Sequence, residues 1–104
     1  MVIITQNKIG VKKMRVYNIT NNNGNKVANQ FIIDGKNKET FQSYDSIIAV
    51  RNKTTNKITL DSYFWDYSVT TGKYRNQFLG EGINETRKKI KNGIYKLKNL
   101  NKGV

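Results

Sequence analysis

The chain has 104 residues, a formal net charge of +12, and neither cysteine nor histidine. This length predicts a single domain over residues 1–104, with one modest hydrophobic core. The two missing residue types exclude a zinc site of the Cys/His kind, a cysteine nucleophile and a disulfide. The aromatic content of 11% argues against a disordered chain.

The positive charge is unevenly distributed along the chain. Residues 1–30 carry five cations and no acid, residues 31–70 carry five of each, and residues 71–104 carry nine cations and two acids. This pattern predicts a folded core with a basic surface on one side, if the two ends meet. A basic surface favours nucleic acid as the partner, ahead of an anionic protein or lipid surface or charge that only aids solubility. AT-rich genomes also favour lysine, asparagine and isoleucine, which accounts for part of the lysine content.

The sequence shows no sign of a membrane segment. No apolar run approaches the about 18 residues that a membrane span needs. The apolar stretch at residues 1–5 is too short for a signal peptide, and no basic residue precedes it. We therefore expect a cytoplasmic protein without membrane association.

The first hairpins are predicted from β-branched and alternating segments. Strands are expected at residues 2–5 and 11–19, followed by an asparagine–glycine turn at residues 21–25. The next strands, residues 27–33 and 39–43, flank the Asp34-Gly35 pair. This pair favours a two-residue type I′ turn.

A second hairpin is predicted from strands at residues 47–51 and 57–61. It places Arg51, Lys53 and Lys57 near its tip. A basic ribbon tip can reach a DNA groove or backbone, although an ordinary solvated loop is the alternative.

Residues 62–67 hold the only tryptophan, Trp65, and three other aromatic side chains. Such a cluster favours the core of a small domain. The alternative is a platform for single-stranded bases, worth about 1–3 kcal/mol per stacked base. Strand-like alternation would turn Phe64 away from Tyr63, Trp65 and Tyr67.

The chain then changes to a helical pattern. The candidate N-caps of a first helix are Ser68, Thr70 and Thr71. The apolar face of this helix carries Tyr74, Phe78 and Leu79, and Gly80 is expected to end it.

A second helix is predicted with Asn84 as its cap and Gly93 at its end. It carries four cations within five residues, Arg87, Lys88, Lys89 and Lys91. The closing segment alternates Tyr95, Leu97 and Leu100, with Lys96 and Lys98 outward.

These elements predict an α+β fold in which antiparallel β-hairpins precede two short helices and a terminal extended segment. The arrangement is loosely winged-helix-like, and the helical pair is loosely similar to a helix-turn-helix.

Two segments resemble a small uncharacterised domain of phages and mobile elements in low-GC Gram-positive bacteria. They are Tyr-Asp-Ser-Ile-Ile-Ala at residues 44–49 and Tyr-Ser-Val-Thr-Thr-Gly-Lys-Tyr-Arg-Asn-Gln-Phe-Leu at residues 67–79. The resemblance covers roughly residues 40–100 and centres on Tyr-Ser-x-Thr-Thr followed by Phe-Leu. Many such sequences have a histidine near Tyr74, which this one lacks. The resemblance implies an accessory role in mobile DNA and no established activity.

An enzyme would depend on carboxylates, tyrosines and lysines. Asp61 and Asp66 lie close enough in sequence for a two-metal site, yet no recognised spacing supports one, and glycine-rich phosphate motifs are absent. Asp66 is expected to pair with a backbone amide or a cation instead. We predict no catalytic residue, no metal and no cofactor.

The predicted function is a DNA-binding accessory protein of a phage or conjugative plasmid. It would hold phosphates of DNA, double-stranded rather than single-stranded, through a basic helix face and a basic hairpin tip. Arg87, Asn76 and Asn52 are the candidates for reading base edges. A homodimer is compatible with this size. The alternative is a small inhibitor or adaptor that binds an acidic surface of a host protein. The predicted contact residues are Arg51, Asn52, Lys53, Lys57, Lys73, Arg75, Asn76, Arg87, Lys88, Lys89 and Lys91.

Overall fold

The computed structural model describes residues 14–102 of the chain. The strand predicted at residues 2–5 and the start of the one predicted at residues 11–19 lie outside the described residues. The described elements, in chain order, are β1 (Arg15–Thr20), β2 (Lys26–Asp34), β3 (Lys38–Ser43), β4 (Ser46–Asn52), β5 (Ile58–Asp61), α1 (Val69–Leu79), α2 (Ile83–Lys91) and β6 (Lys96–Lys98).

The six described strands form one sheet in the order in which they occur along the chain. Strands β1 to β5 are antiparallel neighbours, whereas β6 pairs with β5 in parallel. A parallel neighbour needs a crossover connection, which α1 and α2 supply. The predicted α+β fold, with hairpins followed by two helices and a terminal extended segment, is confirmed.

The inner face of the sheet carries the core. Paired residues on neighbouring strands share a face, and one such row runs through Ile32, Phe41, Ala49 and Leu60. All four side chains are buried. The ring of Phe78 from α1 stacks on Phe41 with 5.9 Å between centroids, so α1 covers this face.

The outer face of the sheet is defined by the adjacent row. It runs through Ile33, Thr40, Val50, Thr59 and Lys96. None of these five residues is buried. A half-exposed row is where an antiparallel sheet can meet solvent or a ligand.

The turn after β2 differs from the predicted two-residue type. Asp34 pairs with Glu39, the three residues Gly35, Lys36 and Asn37 join the two strands, and the Gly35 amide donates to the Lys38 carbonyl at 2.9 Å. Neither Asp34 nor Gly35 has a positive φ, and the type I′ prediction is therefore wrong. Asp34 stays in the strand because its carboxylate is held by Arg15 and Lys53.

The ends of α1 follow the predicted capping. The Ser68 hydroxyl accepts from the Thr71 amide at 3.1 Å, and Gly80 ends the helix with φ +71°. The cap predicted for α2 is wrong, because Gly82 is its N-cap and Asn84 lies inside the first turn. Gly93, with φ +78°, follows the end of α2 as predicted.

Residues 62–67 form turns, and the strand-like alternation expected there is wrong. The Asp61 carboxylate accepts from the Tyr63 amide at 3.0 Å and the Phe64 amide at 2.7 Å, which curls the chain as β5 ends. Phe64 and Trp65 pack against the core, as the core interpretation predicted, while Tyr63 and Tyr67 are exposed.

Candidate nucleic-acid interface

Arg75 is buried beneath the aromatic segment. Its side chain lies with Trp65, donating to the Trp65 carbonyl at 2.8 Å and to Asp66 at 3.1 Å. A third bond, of 2.9 Å, goes to the Asn76 side chain. Because Arg75 is only 1% exposed, neither it nor the Asn76 oxygen that it binds is available to a phosphate. Asp66 pairs with a cation, as expected from the sequence.

Arg51 joins the sheet to α1 instead of extending from a hairpin tip. Its guanidinium pairs with Glu39, donates to the Phe78 carbonyl at 2.6 Å and lies 4.3 Å from the centroid of the Phe78 ring. The guanidinium donors that face Glu39 and Phe78 are therefore already used within the fold.

Two other residues predicted at the hairpin tip, Lys53 and Asn52, also make contacts within the fold. Lys53 pairs with Asp34 and donates to the Gly35 carbonyl at 2.6 Å. The Asn52 side chain accepts from the Thr54 and Thr55 amides at 2.9 and 3.0 Å, and so shapes the loop. Of the cations predicted at this tip, Lys57 is the exposed one.

Helix α2 keeps three of its four cations on the outside. Lys89 turns inward and donates to Glu81 at 2.7 Å. The exposed cations Arg87, Lys88 and Lys91 share one helical face with Asn84, at spacings of three, four and seven residues. We call this face the α2 stripe.

Two of the predicted contact residues, Arg87 and Lys73, are exposed and have only weak interactions with neighbouring side chains. Arg87 reaches Asp66 at 3.5 Å and remains exposed, so its pairing is a surface one of small energy. Lys73 is exposed on α1, with its ammonium 5.4 Å from the centroid of the Tyr74 ring.

Four exposed lysines of the described chain line a groove that includes part of the outer face. We call it the lysine groove; its volume is about 570 Å³. Its cations are Lys38, Lys57, Lys96 and Lys98, and no acidic residue is among the described residues that line it. The neutral lining includes the Val50 side chain. The full lining is Lys38, Val50, Asn52, Thr55, Lys57, Ile58, Thr59, Gly93, Ile94, Lys96, Lys98 and Leu100.

The parallel pairing of β6 with β5 builds one wall of the lysine groove. Thr59 pairs with Lys96, and Asp61 pairs with Lys98. The Ser62 amide donates to the Lys98 carbonyl at 2.8 Å, which continues the ladder. This register fixes the two lysines beside Thr59 on the outer face.

Asp61 anchors the segment that follows β6. Its Oδ1 accepts from the Leu100 amide at 2.7 Å, while Oδ2 accepts from the two amides after β5. Burial raises the pKa of the Asp61 carboxyl, but the amide hydrogen bonds from Phe64, Leu100 and Tyr63 outweigh it, and the pKa lies below its ordinary value. The carboxylate is therefore ionised at neutral pH and holds three amides.

Asn101 fastens the same segment to β4. Its Oδ1 accepts from the Ile47 amide at 2.7 Å, and its Nδ2 donates to the Ile47 carbonyl at 3.0 Å. The side chain thus imitates a strand partner for one residue of β4.

The turn between the helices is closed by a buried carboxylate. Glu81 accepts from Thr86 at 2.6 Å, from Lys89 at 2.7 Å and from the Tyr95 hydroxyl at 2.9 Å. Burial raises the pKa of Glu81, but the bonds from Lys89, Thr86 and Tyr95 prevail and lower it overall. The pKa of Tyr95 is raised by burial and by the nearby carboxylate. This cluster fixes the position of Tyr95, the residue immediately before β6.

The α2 stripe and the lysine groove are neighbours in the chain. Gly93 and Ile94 line the groove directly after α2. The Cα atoms of Lys91 and Gly93 are at most about 7.6 Å apart, because two peptide units separate them. The C-terminal end of the stripe therefore lies close to one end of the groove.

The sequence prediction missed Lys38, Lys96 and Lys98 as site residues. The outward alternation of Lys96 and Lys98 was visible, and both are exposed. What the sequence did not show was that their strand pairs with β5 beside Lys57.

Residues 14–95 match the model of a family of unknown function, DUF8033. The chain belongs to this family. The DUF8033 match covers β1 to β5 and both helices, and it ends one residue before β6. No curated protein and no solved structure matches the chain.

Two other kinds of feature are absent from the described residues. Within residues 14–102, no helix has the length and apolar character needed to cross a membrane. The same residues contain no group of three or more acidic side chains arranged to hold a metal ion.

Proposed function

We propose that this chain is a cytoplasmic DNA-binding accessory protein that holds phosphates in the lysine groove and along the α2 stripe. The observation that carries the proposal is the set of four exposed lysines around one groove, with no acidic residue among its described lining residues. Like charges placed together destabilise a fold by mutual repulsion, and an anionic ligand relieves that repulsion.

The chemistry of the lysine groove suits a phosphate backbone. Lysine ammonium groups are point charges on flexible stems, which bind phosphate without fixed geometry. The hydroxyls of Thr55 and Thr59 lie in the same lining and can donate to phosphate oxygens. None of the described residues that line the groove is an arginine, which could read a guanine edge, so backbone contact is favoured over sequence recognition.

The α2 stripe extends the surface beyond the groove. Arg87, Lys88 and Lys91 are three further exposed cations on the helix whose C-terminal end leads to the groove at Gly93. Double-stranded DNA presents a charge about every 1.7 Å along its axis, so a long basic surface fits it better than a compact anion. The resemblance of residues 67–79 to a domain of phages and mobile elements supports an accessory role in mobile DNA.

The experiment measures the affinity for a fluorescent duplex by anisotropy as a function of salt. Seven cations at about 0.9 per phosphate give an expected slope of about −6 for log affinity against log salt. An affinity that hardly changes between low and physiological salt would contradict phosphate binding.

Matched triple variants locate the binding surface. We expect Lys57→Gln, Lys96→Gln and Lys98→Gln together to reduce the salt slope by about 2.7. The control triple, Lys26→Gln, Lys36→Gln and Lys102→Gln, removes the same charge from exposed positions outside the groove lining. An equal reduction of the salt slope in both triple variants would show that DNA binding depends on net charge and not on the groove.

The same assay separates the alternative partner, an acidic protein surface. No binding of any DNA at low salt, together with binding of a poly-glutamate peptide, would favour the inhibitor or adaptor hypothesis. Cross-linking of the free protein and the complex would show whether two copies bind together.

A further inference from the structure

A second pocket lies at the other end of β3 and β4 from the lysine groove. It has a volume of about 500 Å³ and lies between the turn after β3 and the segment before α1. We call it the tyrosine pocket. Its lining includes Tyr44, Asp45, Ser46, Ile48, Tyr67 and Thr70. No lysine or arginine is among the described lining residues, in contrast to the groove.

Two tyrosine rings border the tyrosine pocket while remaining open to solvent. Tyr44 is 50% exposed and Tyr67 is 59% exposed. The Tyr67 ring is positioned by Phe64, whose ring meets it edge-on at 5.2 Å between centroids. Since Phe64 itself packs against the core, the Tyr67 ring has a firm support.

Tyr44 is held in a backbone conformation that aromatic residues rarely adopt. Its φ is +54°, in the left-handed region. The Tyr44 amide donates to the Asn29 carbonyl at 2.7 Å, and Gln42 Nε2 donates to the Tyr44 carbonyl at 2.8 Å. Strained residues persist where neighbouring structure fixes them, and they cluster at ligand-binding positions.

The lining of the tyrosine pocket matches the chemistry of a nucleobase. A base has apolar faces that stack on aromatic rings and a polar edge that forms hydrogen bonds. The hydroxyls of Ser46 and Thr70 and the Asp45 carboxylate can bond that edge, and carboxylates accept from the amino group of cytosine. None of the described lining residues is a cation, so the pocket offers no positive side-chain charge to a phosphate.

We infer that the tyrosine pocket binds one unpaired nucleobase of a strand whose phosphates lie in the lysine groove. The base must be unpaired because the faces of a base within a duplex are already stacked on its neighbours. This inference rests on the proposed function and narrows the ligand to DNA with a single-stranded segment beside the groove contacts.

A nucleic-acid strand that joins the two sites must pass from one face of the sheet to the other. Lys38 lines the groove and Ser43 lines the pocket, at opposite ends of β3. The two residues are five apart, about 17 Å along the strand, and an odd separation places their side chains on opposite faces. Ser43 is on the helix-covered face, where its hydroxyl is 2.9 Å from that of Thr71 in α1. The connecting path is therefore longer than about 17 Å and needs more than about five nucleotides at about 3.4 Å each.

Three DNAs test the inference with the full-length protein. They are a blunt duplex, the same duplex with a twelve-nucleotide single-stranded extension, and that duplex with an abasic extension of equal length. We expect the base-bearing extension to bind at least about tenfold more tightly than the abasic one, as one stacked base provides. A 2-aminopurine in the extension should lose fluorescence on binding, since stacking on a ring quenches it.

Two pocket variants and one control identify the site. Tyr67→Ala and Tyr44→Asn should each reduce the preference for bases to within about twofold and leave blunt-duplex affinity unchanged. Asparagine tolerates the left-handed backbone at position 44, so that variant preserves the turn. Tyr63→Ala is the control, because Tyr63 is 74% exposed and is not among the described residues that line the pocket.

The outcomes separate this inference from the proposed function. Equal binding of all three DNAs, or a base preference unchanged in both pocket variants, overturns the tyrosine pocket alone. A failure of all three DNAs to bind at low salt overturns the groove and the pocket together. A base preference that only the pocket variants abolish supports the inference.

Discussion

The guanidinium of Arg75 lies over the indole ring of Trp65, 5.4 Å from its centroid, and donates to the Trp65 carbonyl at 2.8 Å. The contact engages both side chains. The buried guanidinium has no donor that faces solvent, and the face of the indole ring is covered by the cation. The pair lies between α1 and the turns after β5, and it is structural.

Arg75→Lys should therefore destabilise the fold. Lysine cannot reproduce the fork that reaches the Trp65 carbonyl, Asp66 and Asn76 together. We expect the free energy of unfolding to fall by about 2–4 kcal/mol, measured by urea denaturation. Lys73→Ala, on the exposed side of the same helix, is the control and should change it by at most about 0.5 kcal/mol. A similarly small loss for Arg75→Lys would contradict the structural role.

Gln30 offers a stabilising substitution. The residue is fully buried, and neither polar atom of its side-chain amide has a hydrogen-bond partner among residues 14–102. Gln30→Met keeps the volume and removes the unsatisfied groups, so the free energy of unfolding should rise by about 1–2 kcal/mol. The control is Gln42→Met, which loses the bond to the Tyr44 carbonyl and should not stabilise the protein. A lower urea midpoint for Gln30→Met would show that the amide is satisfied in solution.

The free energy of unfolding should decrease in acid because of two carboxylates. The folded-state pKa values of Asp61 and Glu81 both lie below their ordinary values of 3.8 and 4.5. Groups with a depressed pKa contribute stability above the unfolded value, and this contribution is lost as the pH falls through the folded value. Urea midpoints should therefore be nearly constant from about pH 7 to 5 and fall below about pH 4.

Glu81→Gln tests how much of that pH dependence belongs to the turn between the helices. We expect a loss of about 1–3 kcal/mol at pH 7, since three donors lose a charged acceptor. The acid dependence of the variant should be shallower than that of the parent. Parallel pH profiles for the two proteins would assign the effect to other carboxylates.

Asn101→Ala should weaken DNA binding although it removes no positive charge. The side chain fastens the segment after β6 to Ile47, and β6 carries Lys96 and Lys98. Loss of this attachment should lower the unfolding free energy by about 1–2 kcal/mol. It should also reduce duplex affinity several-fold. Asn22→Ala, at an exposed turn position, is the control for both measurements.

Tyr44→Asn should raise stability while it removes base recognition. Relief of the left-handed strain at position 44 should add about 0.5–1 kcal/mol to the free energy of unfolding. The matched variant Tyr63→Asn, at a position without a positive φ, should bring no such gain. Destabilisation by Tyr44→Asn would indicate that the ring contributes packing that outweighs the backbone strain.

Local chemistry accounts for the parts of the fold that the sequence predicted correctly. Alternation located the strands, and the Ser68 hydroxyl and Gly80 marked the ends of α1. The type I′ turn predicted at Asp34-Gly35 was wrong because ion pairs with Arg15 and Lys53 hold Asp34 in the strand. These pairs join segments that are distant in the sequence.

The candidate site was harder to predict, because it depends on which cations form ion pairs with the seven acidic residues and which remain exposed. Three of the cations predicted to contact DNA form ion pairs within the fold: Arg51 with Glu39, Lys53 with Asp34, and Lys89 with Glu81. The sequence pattern alone does not distinguish these paired cations from Lys57, which is exposed. The groove also needs the parallel pairing of Thr59 with Lys96, which no local signal encodes.

That pairing has a thermodynamic consequence. The two walls of the groove come from chain segments joined only through both helices, so an occupied groove acts as a clamp across the whole domain. A ligand that binds only the folded state raises the unfolding free energy by mass action, by about 2.7 kcal/mol at a hundred times its dissociation constant. Melting temperature should thus report groove occupancy, with a rise that grows with ligand concentration and disappears at high salt.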